Sequence, residues 1–194
     1  MKLLHIDSSI LGDNSASRTV SREIVARWKR AHPQLQVEHL DLVADSLPHL
    51  TGHHLAQMQV PESRDAQMLA DFLAADVVVI GAPMYNFTIS TQLKSWIDRI
   101  VVAGKTFKYG PNGPEGLVHG KRVIIAISRG GVYPQDAPVE HAESYLKVIF
   151  GYIGVTDLQF VRAEGLALSP EHRQKGVDAA FAAIPAAIPA AKAA

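Results

Sequence analysis

The sequence predicts an α/β domain in which helices cover both faces of a parallel sheet. Across the 194 residues, apolar runs of strand length alternate five times with segments of helical periodicity. The runs at 76–82 and 122–127 are almost continuously apolar, which is typical of strands buried on both faces. Such alternation predicts a doubly wound sheet of five parallel strands, and right-handed crossovers together with the chain length favour the strand order 2-1-3-4-5.

Two strand–helix units account for the first part of the chain. The predicted elements are a strand at Lys2–Ile6, a helix at Ser17–Ala31, a strand at Gln36–Leu40 and a helix near Ser63–Ala74. Apolar residues recur at helical spacing in the first helix, and His32-Pro33 ends it. Proline and glycine interrupt the segment 42–62, to which we assign no element.

The second part of the chain continues the alternation. Its predicted elements are a strand at Asp76–Ala82, a helix at 90–103, a strand at Arg122–Ile127, a helix at about Pro138–Phe150, a strand at Asp157–Ala163 and a helix at Pro170–Ile184. We expect no regular strand ladder beyond Ala82, because Pro83 has no N–H to donate. The glycine- and proline-rich stretch at 104–120 is expected to be a surface excursion.

The predicted domain spans residues 1–184, and residues 185–194 form a low-complexity tail of alanine and proline. Ten of the seventeen residues from Asp178 to Ala194 are alanine. Pro185 and Pro189 would break any helix there. We assign this tail no function.

Composition excludes several kinds of function. Nineteen basic residues balance nineteen acidic ones, which argues against nucleic-acid binding and against a polybasic membrane anchor. Cysteine is absent, so disulfides, thiol nucleophiles and cysteine-ligated metal centres are excluded. A redox protein of this composition needs an imported cofactor to carry electrons. The N-terminus reaches Asp7 before any long apolar stretch, so we expect a cytoplasmic protein without a membrane span.

The ligand site is expected where the parallel strands end. In an open parallel sheet, ligands bind beyond the carboxyl ends of the strands, which selects the loops 8–17, 83–87 and 128–131. Loop 8–17 is rich in serine and opens a helix, so its hydroxyls and free N–H groups could form a phosphate site. Alternatively, these serines could serve only to cap the N-terminus of the helix. The motifs GxGxxG and GxxxxGK[ST] are both missing from the sequence.

The other two loops suit a flat aromatic ligand. Met84, Tyr85 and Phe87 could pack against a heteroaromatic ring, and Asn86 could present an amide to it. Ordinary packing of this loop on the following helix accounts for the same residues. Gly130-Gly131 allows close approach of the backbone and N–H donation to a ring edge, although a plain tight turn is the commoner use of such a pair.

Several short segments together point to one family. The most specific is Ala82–Phe87, continued by Ile89–Lys94. The others are Ser8–Ile10, Ser15–Ser17, Asn112–Leu117, Ser128–Gly131 and Ala163–Gly165. With these segments the sequence resembles the FMN-dependent NADH azoreductases, which are also NADH:quinone oxidoreductases. One departure is the segment 50–66, which is shorter than in many relatives and which in the family helps to shape the site.

The resemblance implies a flavodoxin-like fold and a homodimer with an FMN in each of two active sites at the interface. It also implies that quinones are reduced and aromatic azo compounds are cleaved to amines, with NADH or NADPH as electron donor. The residues that it implies for FMN binding are Ser9, Ser15, Ala16 and Ser17 for the phosphate, and Met84, Tyr85, Asn86, Phe87, Ser128, Arg129, Gly130 and Gly131 for the ring.

The flavin is then the redox centre, and no catalytic side chain is required. We expect NAD(P)H and the acceptor to use one site in turn, which gives ping-pong kinetics. Tyr109, Tyr133 and Tyr152 are candidates for lining the acceptor pocket. No metal is expected, because Gly52 argues against a helical pair of His49 and His53.

Two other functions stay compatible with the sequence. A flavodoxin-type electron carrier would also bind FMN, but such carriers are usually strongly acidic and this chain is neutral. A module that senses quinones or nucleotides would bind FMN without oxidising NADH. A receiver domain is excluded because the third strand ends in Gly81-Ala82-Pro83, without an aspartate to accept phosphate. The physiological acceptor and the choice between NADH and NADPH stay open at this stage.

Overall fold

The computed structural model describes residues 1–57, 60, 63–134 and 137–188; parts of the predicted segment 50–66 and of the predicted tail therefore lie outside it. The strands are β1 (Lys2–Asp7), β2 (Gln36–Asp41), β3 (Val77–Tyr85), β4 (Thr88–Ile89), β5 (Phe107–Gly110), β6 (Gly113–Gly116), β7 (Arg122–Ser128) and β8 (Asp157–Ala163). The helices are α1 (Ala16–Ala31), α2 (Gly52–Gln57), α3 (Arg64–Ala74), α4 (Thr91–Ile100), α5 (His141–Tyr152) and α6 (Pro170–Ala182). Of these helices, none has the length and apolar character that spanning a bilayer requires.

The central sheet has the order β2-β1-β3-β7-β8, and all four of these strand pairs are parallel. This is the predicted order 2-1-3-4-5, so the predicted fold class and topology are confirmed. Parallel neighbours require crossover connections, which the helices supply. β4 adds an antiparallel pair to the end of β3, and β5 and β6 form a separate hairpin within the predicted surface excursion.

The sheet separates two apolar cores. Successive side chains of a strand point to opposite faces, so Leu3 and Leu4 belong to different cores. On one face Leu3 packs in a core with Trp28 of α1, and on the other Leu4 packs in a core with Trp96 of α4. Both tryptophans are fully buried. Burial on both faces explains why the central strands are nearly continuous apolar runs.

β3 continues through Pro83, contrary to the prediction that the regular ladder ends before it. Pro83 lies opposite Ser128 in the parallel pair of β3 and β7. Alternate residues of a parallel strand direct their N–H and C=O groups to opposite neighbours. The Gly81 carbonyl faces the β1 side, where it accepts a hydrogen bond from the Ser8 hydroxyl at 2.8 Å. Pro83 therefore faces the same side, beyond the last residue of β1, and its missing N–H leaves no ladder bond unmade.

α5 begins at His141 and not at the predicted Pro138, because Glu140 caps the helix. The Glu140 carboxylate accepts from the N–H groups of Ala142 at 3.1 Å and Glu143 at 3.0 Å. A capping residue has non-helical backbone angles, and those of Glu140 are φ −89° and ψ 95°. The side chain of Glu140 thus sets the start of the helix.

The described part of the predicted tail contacts the rest of the chain. The Ala187 carbonyl lies 2.8 Å from a ring nitrogen of His32. The Ile188 carbonyl accepts a hydrogen bond from the Arg122 guanidinium. Residues up to 188 therefore pack beside the start of β7 and the end of α1, whereas 189–194 lie outside the described residues.

Gly116 and Gly154 approach each other too closely for a side chain. A Cβ at Gly116 would lie 2.2 Å from the nitrogen of Gly154 and 2.4 Å from its Cα. We expect Gly116→Ala to lower the free energy of unfolding by about 2–3 kcal/mol, because backbone must move to make room. Gly151→Ala is the matched control, since a Cβ there meets nothing within 4 Å and alanine favours the helix by about 1 kcal/mol. Denaturant unfolding of both variants is the measurement; equal stability of Gly116→Ala and the unaltered protein would contradict the close approach.

Candidate functional site

The three loops that the sequence selects meet in space. β1, β3 and β7 are neighbouring parallel strands, so their carboxyl ends lie at one edge of the sheet. A cavity of about 180 Å³ lies at this edge. It is lined by Ser9, Leu11, Ser15, Ala16, Pro83, Met84, Tyr85, Ser128, Arg129, Gly130, Leu166, Ala167 and Arg173.

Loop 8–17 ends in the N-terminus of α1, which carries free backbone donors. The Ser15 hydroxyl caps the helix by accepting from the Arg18 N–H at 3.3 Å, and it lies 3.0 Å from the Ser17 hydroxyl. Among the described residues, the N–H groups of Ala16 and Ser17 have no hydrogen-bond partner. A helix cannot pair its own first N–H groups. Capping therefore leaves two donors free at this helix end, where the helix dipole would also favour a negative ligand.

The Tyr85 hydroxyl connects loop 8–17 to the end of β3. It lies 3.1 Å from Ser9 Oγ and accepts from the Ile10 N–H at 3.2 Å. The Ser9 hydroxyl in turn accepts from the Leu11 N–H at 3.3 Å. Hydroxyl groups on the cavity wall thus hold the first two loops in a defined relation.

A tight turn at Asn86-Phe87 joins β3 to β4 with a strained backbone. Both residues have left-handed φ angles, +47° for Asn86 and +70° for Phe87. Asparagine tolerates this region, but for a bulky residue it costs on the order of 1–2 kcal/mol. The Phe87 carbonyl accepts from the His141 N–H at 2.9 Å, which holds the turn against the start of α5.

Loop 128–131 is braced by the segment that follows β8. The carbonyl oxygens of Arg129, Gly130 and Gly131 accept hydrogen bonds of 2.9–3.2 Å from the N–H groups of 165–167. In the described part of the chain, the N–H groups of Gly130 and Gly131 have no partner. This loop therefore has its acceptors satisfied and keeps donors available for a ligand.

The Arg129 side chain is held by carboxylates. Its guanidinium lies 2.8 Å from Glu143 and 3.0 Å from Glu164, and the residue is buried. Burial raises the pKa of Glu143, but hydrogen bonds from Arg162 and Lys147 outweigh it and lower that pKa to about 2. Glu143 is consequently ionised at neutral pH, and the charge pair fixes Arg129 behind the loop.

The predicted flavin-binding residues divide between the cavity wall and its immediate neighbours. Those that line the cavity are Ser9, Ser15, Ala16, Met84, Tyr85, Ser128, Arg129 and Gly130. The other four are outside the lining set: Ser17, Asn86 and Gly131 directly follow lining residues in the chain, and Phe87 is two residues beyond Tyr85. The structure thus brings all three predicted segments together, although four of the predicted residues do not line the cavity.

The predicted acceptor-pocket tyrosines do not line this cavity in the described structure. Tyr109 and Tyr152 both pack on Phe107, with ring centroids 5.5 Å and 4.8 Å from it. Tyr133 lies beside the third loop, with its ring centroid 5.9 Å from the Arg129 guanidinium carbon. The first two therefore belong to the β5–β6 hairpin region, and only Tyr133 is close to the cavity loops.

Five lining residues are not among the predicted site residues: Leu11 and Pro83 lie within the selected loops, whereas Leu166, Ala167 and Arg173 lie outside them. Leu166 and Ala167 follow β8, so the rule that ligands bind beyond strand ends could have selected them. Arg173 comes from α6 and donates a hydrogen bond to the Asn14 carbonyl. No sequence pattern indicates that contact, because it depends on how α6 packs beside loop 8–17.

Comparison with known proteins identifies the family. Residues 1–188 match the model of a family described as having a flavodoxin-like fold. FMN-dependent NADH:quinone oxidoreductase 2 of Bradyrhizobium diazoefficiens is 55% identical over 195 residues, covering 94% of this chain and 96% of that protein. The azoreductase from Bacillus anthracis str. Sterne superposes with a TM-score of 0.83 at 30% identity, covering 94% of this chain and 95% of that one. An FMN-dependent NADH-azoreductase from Bacillus anthracis str. Ames Ancestor, solved in complex with FMN, gives 0.81 at 29% identity, covering 94% and 97%.

The fold and these matches make the chain a flavodoxin-like protein. Within that class it belongs to the family of FMN-dependent NADH:quinone oxidoreductases. The resemblance drawn from Ala82–Phe87 and the accompanying segments is confirmed.

The strain at Phe87 predicts an unusual response to glycine. We expect Phe87→Gly to leave the free energy of unfolding unchanged or to raise it by up to about 1 kcal/mol, since relief of left-handed strain offsets the modest packing of a half-exposed ring. Thr88→Gly, the next residue along the chain, should lower it by about 1 kcal/mol, because glycine weakens a strand. Urea unfolding of both variants is the measurement. A destabilisation of Phe87→Gly equal to that of Thr88→Gly would show that the turn stores no strain.

Proposed function

We propose that this chain binds FMN in the cavity at the strand ends and uses it to oxidise NADH, reducing quinones and cleaving aromatic azo compounds. The proposal is supported by the relatives named FMN-dependent NADH:quinone oxidoreductases and by the azoreductases of known structure. The single observation that carries it is the meeting of free N–H groups at α1 with the wall formed by the ends of β3 and β7.

The phosphate of FMN fits the N-terminus of α1. Ser9, Ser15, Ala16 and Ser17 would hold it, through two free N–H groups and through hydroxyls that form two hydrogen-bonded pairs, Ser9 with Tyr85 and Ser15 with Ser17. A dianion is favoured at this end of a helix because the dipole and the unpaired donors both attract negative charge. The unpaired N–H groups of Ala16 and Ser17 are the reason why these residues suit a phosphate group.

The flavin ring fits the wall formed by the other two loops. Met84–Phe87 would contact it with thioether and aromatic surface, and Ser128–Gly131 would hold its edge. The N–H groups of Gly130 and Gly131 are free to donate to ring heteroatoms. A Cβ at Gly130 would lie 3.3 Å from the Ala167 side chain, so the backbone there is already closely packed from behind.

Bound FMN supplies hydride transfer, from NADH to the flavin and from the flavin to the acceptor. The protein's own residues bind and orient the flavin and partly exclude water from it. No side chain is assigned as a catalytic acid or base. We propose that NADH and the acceptor occupy the same face of the site in turn, which gives ping-pong kinetics. We propose NADPH as an alternative electron donor at the same site.

We also propose a homodimer with an FMN in each of two active sites that line its interface. The support is a set of apolar side chains that border the cavity and face solvent: Ile10 is 56% exposed, Leu11 54% and Phe87 48%. Exposed apolar side chains grouped in this way mark interaction surfaces. Tyr109, Tyr133 and Tyr152 stay proposed as residues of the acceptor pocket, and the proposed compartment is the cytoplasm, which holds a pool of NADH.

Removal of one backbone donor tests the phosphate site. Ala16 is the first helical residue, and the extended backbone of Ser15, φ −82° and ψ 121°, suits a following proline. We expect Ala16→Pro to weaken FMN binding by about 10- to 100-fold, because one charge-assisted hydrogen bond is lost. Ala16→Ser keeps the N–H and should bind as the unaltered protein does. Flavin fluorescence titration measures the affinity and thermal unfolding checks the fold; a folded Ala16→Pro variant with unchanged affinity would contradict the site.

Steady-state kinetics test the proposed function and the shared site. The purified protein with FMN should oxidise NADH in the presence of a quinone with no added reductase. Double-reciprocal plots at several quinone concentrations should be parallel lines. Intersecting lines would rule out alternate use of one site, and FMN binding without NADH oxidation would favour a carrier or a sensing module.

A further inference from the structure

A buried polar cluster lies beneath the proposed phosphate site. The register of β1 and β2 pairs His5 with His39 and Asp7 with Asp41, and α1 covers these side chains with Arg18 and Ser21. The Asp7 carboxylate is almost fully buried and accepts from Ser21 at 3.0 Å. The neighbouring residues on this face of β1 and β3 include Leu3, Val77 and Val79, which are apolar, so the cluster is a local exception in the core under α1.

Arg18 connects this cluster to the backbone of loop 8–17. Its Nε and Nη2 donate to the Ser9 carbonyl at 3.2 Å and 2.9 Å. Its Nη1 and Nη2 donate to the Asp41 carboxylate at 2.6 Å and 2.7 Å. The guanidinium is therefore shared between one carboxylate and one carbonyl, and Arg18 is buried.

Asp41 fixes the orientation of that guanidinium. Besides Arg18, its carboxylate accepts from the N–H groups of Val43 at 3.0 Å and Ala44 at 3.4 Å. The hydrogen bond from Arg18, together with these two, lowers the pKa of Asp41 to about 2 even though burial opposes the change. The carboxylate is thus ionised and anchored at the end of β2, and a bidentate pair of this kind defines the plane of the arginine.

The contact with Ser9 decides which backbone groups of the loop remain for a ligand. A carbonyl oxygen directed at an anion would repel it, whereas the Ser9 carbonyl is occupied by Arg18. Arg18 is not among the described residues that line the cavity, so it acts through Ser9 and not on the ligand. Without its positive charge, Asp41 would lose its ion pair at 2.6 Å and Asp7 would lose the guanidinium 3.7 Å away.

We propose that Arg18, held by Asp41, is the positioning residue that makes this site prefer a phosphorylated flavin to an unphosphorylated one. The proposal rests on the proposed function, since it takes the N-terminus of α1 as the FMN phosphate site. It predicts that Arg18 contributes to the difference between FMN and riboflavin affinities and contributes little to binding of the ring.

The test is the ratio of the riboflavin and FMN dissociation constants, measured by flavin fluorescence on the full chain freed of flavin. We expect Arg18→Met to reduce this ratio at least about tenfold, with riboflavin affinity changed by no more than about twofold. Arg18→Lys should give an intermediate ratio, because one ammonium group cannot reproduce the planar bidentate contact while donating to Ser9. Asp41→Asn should also lower the ratio, since it releases the guanidinium.

Arg22→Met is the matched control. Arg22 is one turn further along α1, and its half-exposed guanidinium pairs with exposed Asp13 at 3.0 Å. This variant removes the same charge from the same helix without touching Ser9, and it should keep the ratio of the unaltered protein. A general effect of net charge would lower the ratio equally in Arg22→Met and Arg18→Met, which would overturn the proposal.

Two further outcomes separate this proposal from the proposed function. If the unaltered protein binds riboflavin as tightly as FMN, the phosphate site itself is wrong and both proposals fail. If it prefers FMN but folded Arg18→Lys and Asp41→Asn keep that preference, only the role of Arg18 is overturned. Thermal unfolding of each variant establishes that it is folded, so the two milder substitutions decide the matter if Arg18→Met does not fold.

Discussion

The first N–H groups of an α-helix cannot be paired within the helix, and the candidate site of this protein is built around that constraint. α1 begins at the edge where β1, β3 and β7 end, so its unpaired donors face the region where the strand-end loops meet. The parallel sheet is what brings these loops together. A change in strand order would separate them even if every loop kept its own conformation.

The loops share a second property, which is that donors from neighbouring segments occupy their carbonyl oxygens. The Ser9 carbonyl accepts from Arg18, the Phe87 carbonyl from the start of α5, and the carbonyls of 129–131 from the segment 165–167. What remains for a ligand is mainly N–H groups and hydroxyls. This asymmetry explains electrostatically why the edge of a neutral chain suits an anionic, acceptor-rich ligand such as FMN.

Much of this arrangement could be predicted from local patterns. The runs in β3 and β7 are apolar because both faces of the sheet are buried, so the strand order followed from alternation and crossovers alone. The predictions failed where a single side chain decides a boundary. Pro83 stays in its strand because β1 ends beside it, and α5 starts late because the Glu140 side chain caps it. The first fact depends on where the neighbouring strand ends, and the second on the conformation of one side chain.

Sequence patterns were sufficient to predict the fold class, the three loops and the family, and the lack of cysteine assigned electron transfer to an imported cofactor. The side chains that support those loops become apparent only in the three-dimensional structure. Arg18 meets Asp41, and Arg173 meets Asn14, across 23 and 159 residues of chain. Contacts at such separations depend on strand register and helix packing, which no local periodicity encodes. The sequence shows that positive and negative charges balance, but only folding decides which of the charged residues pair with one another.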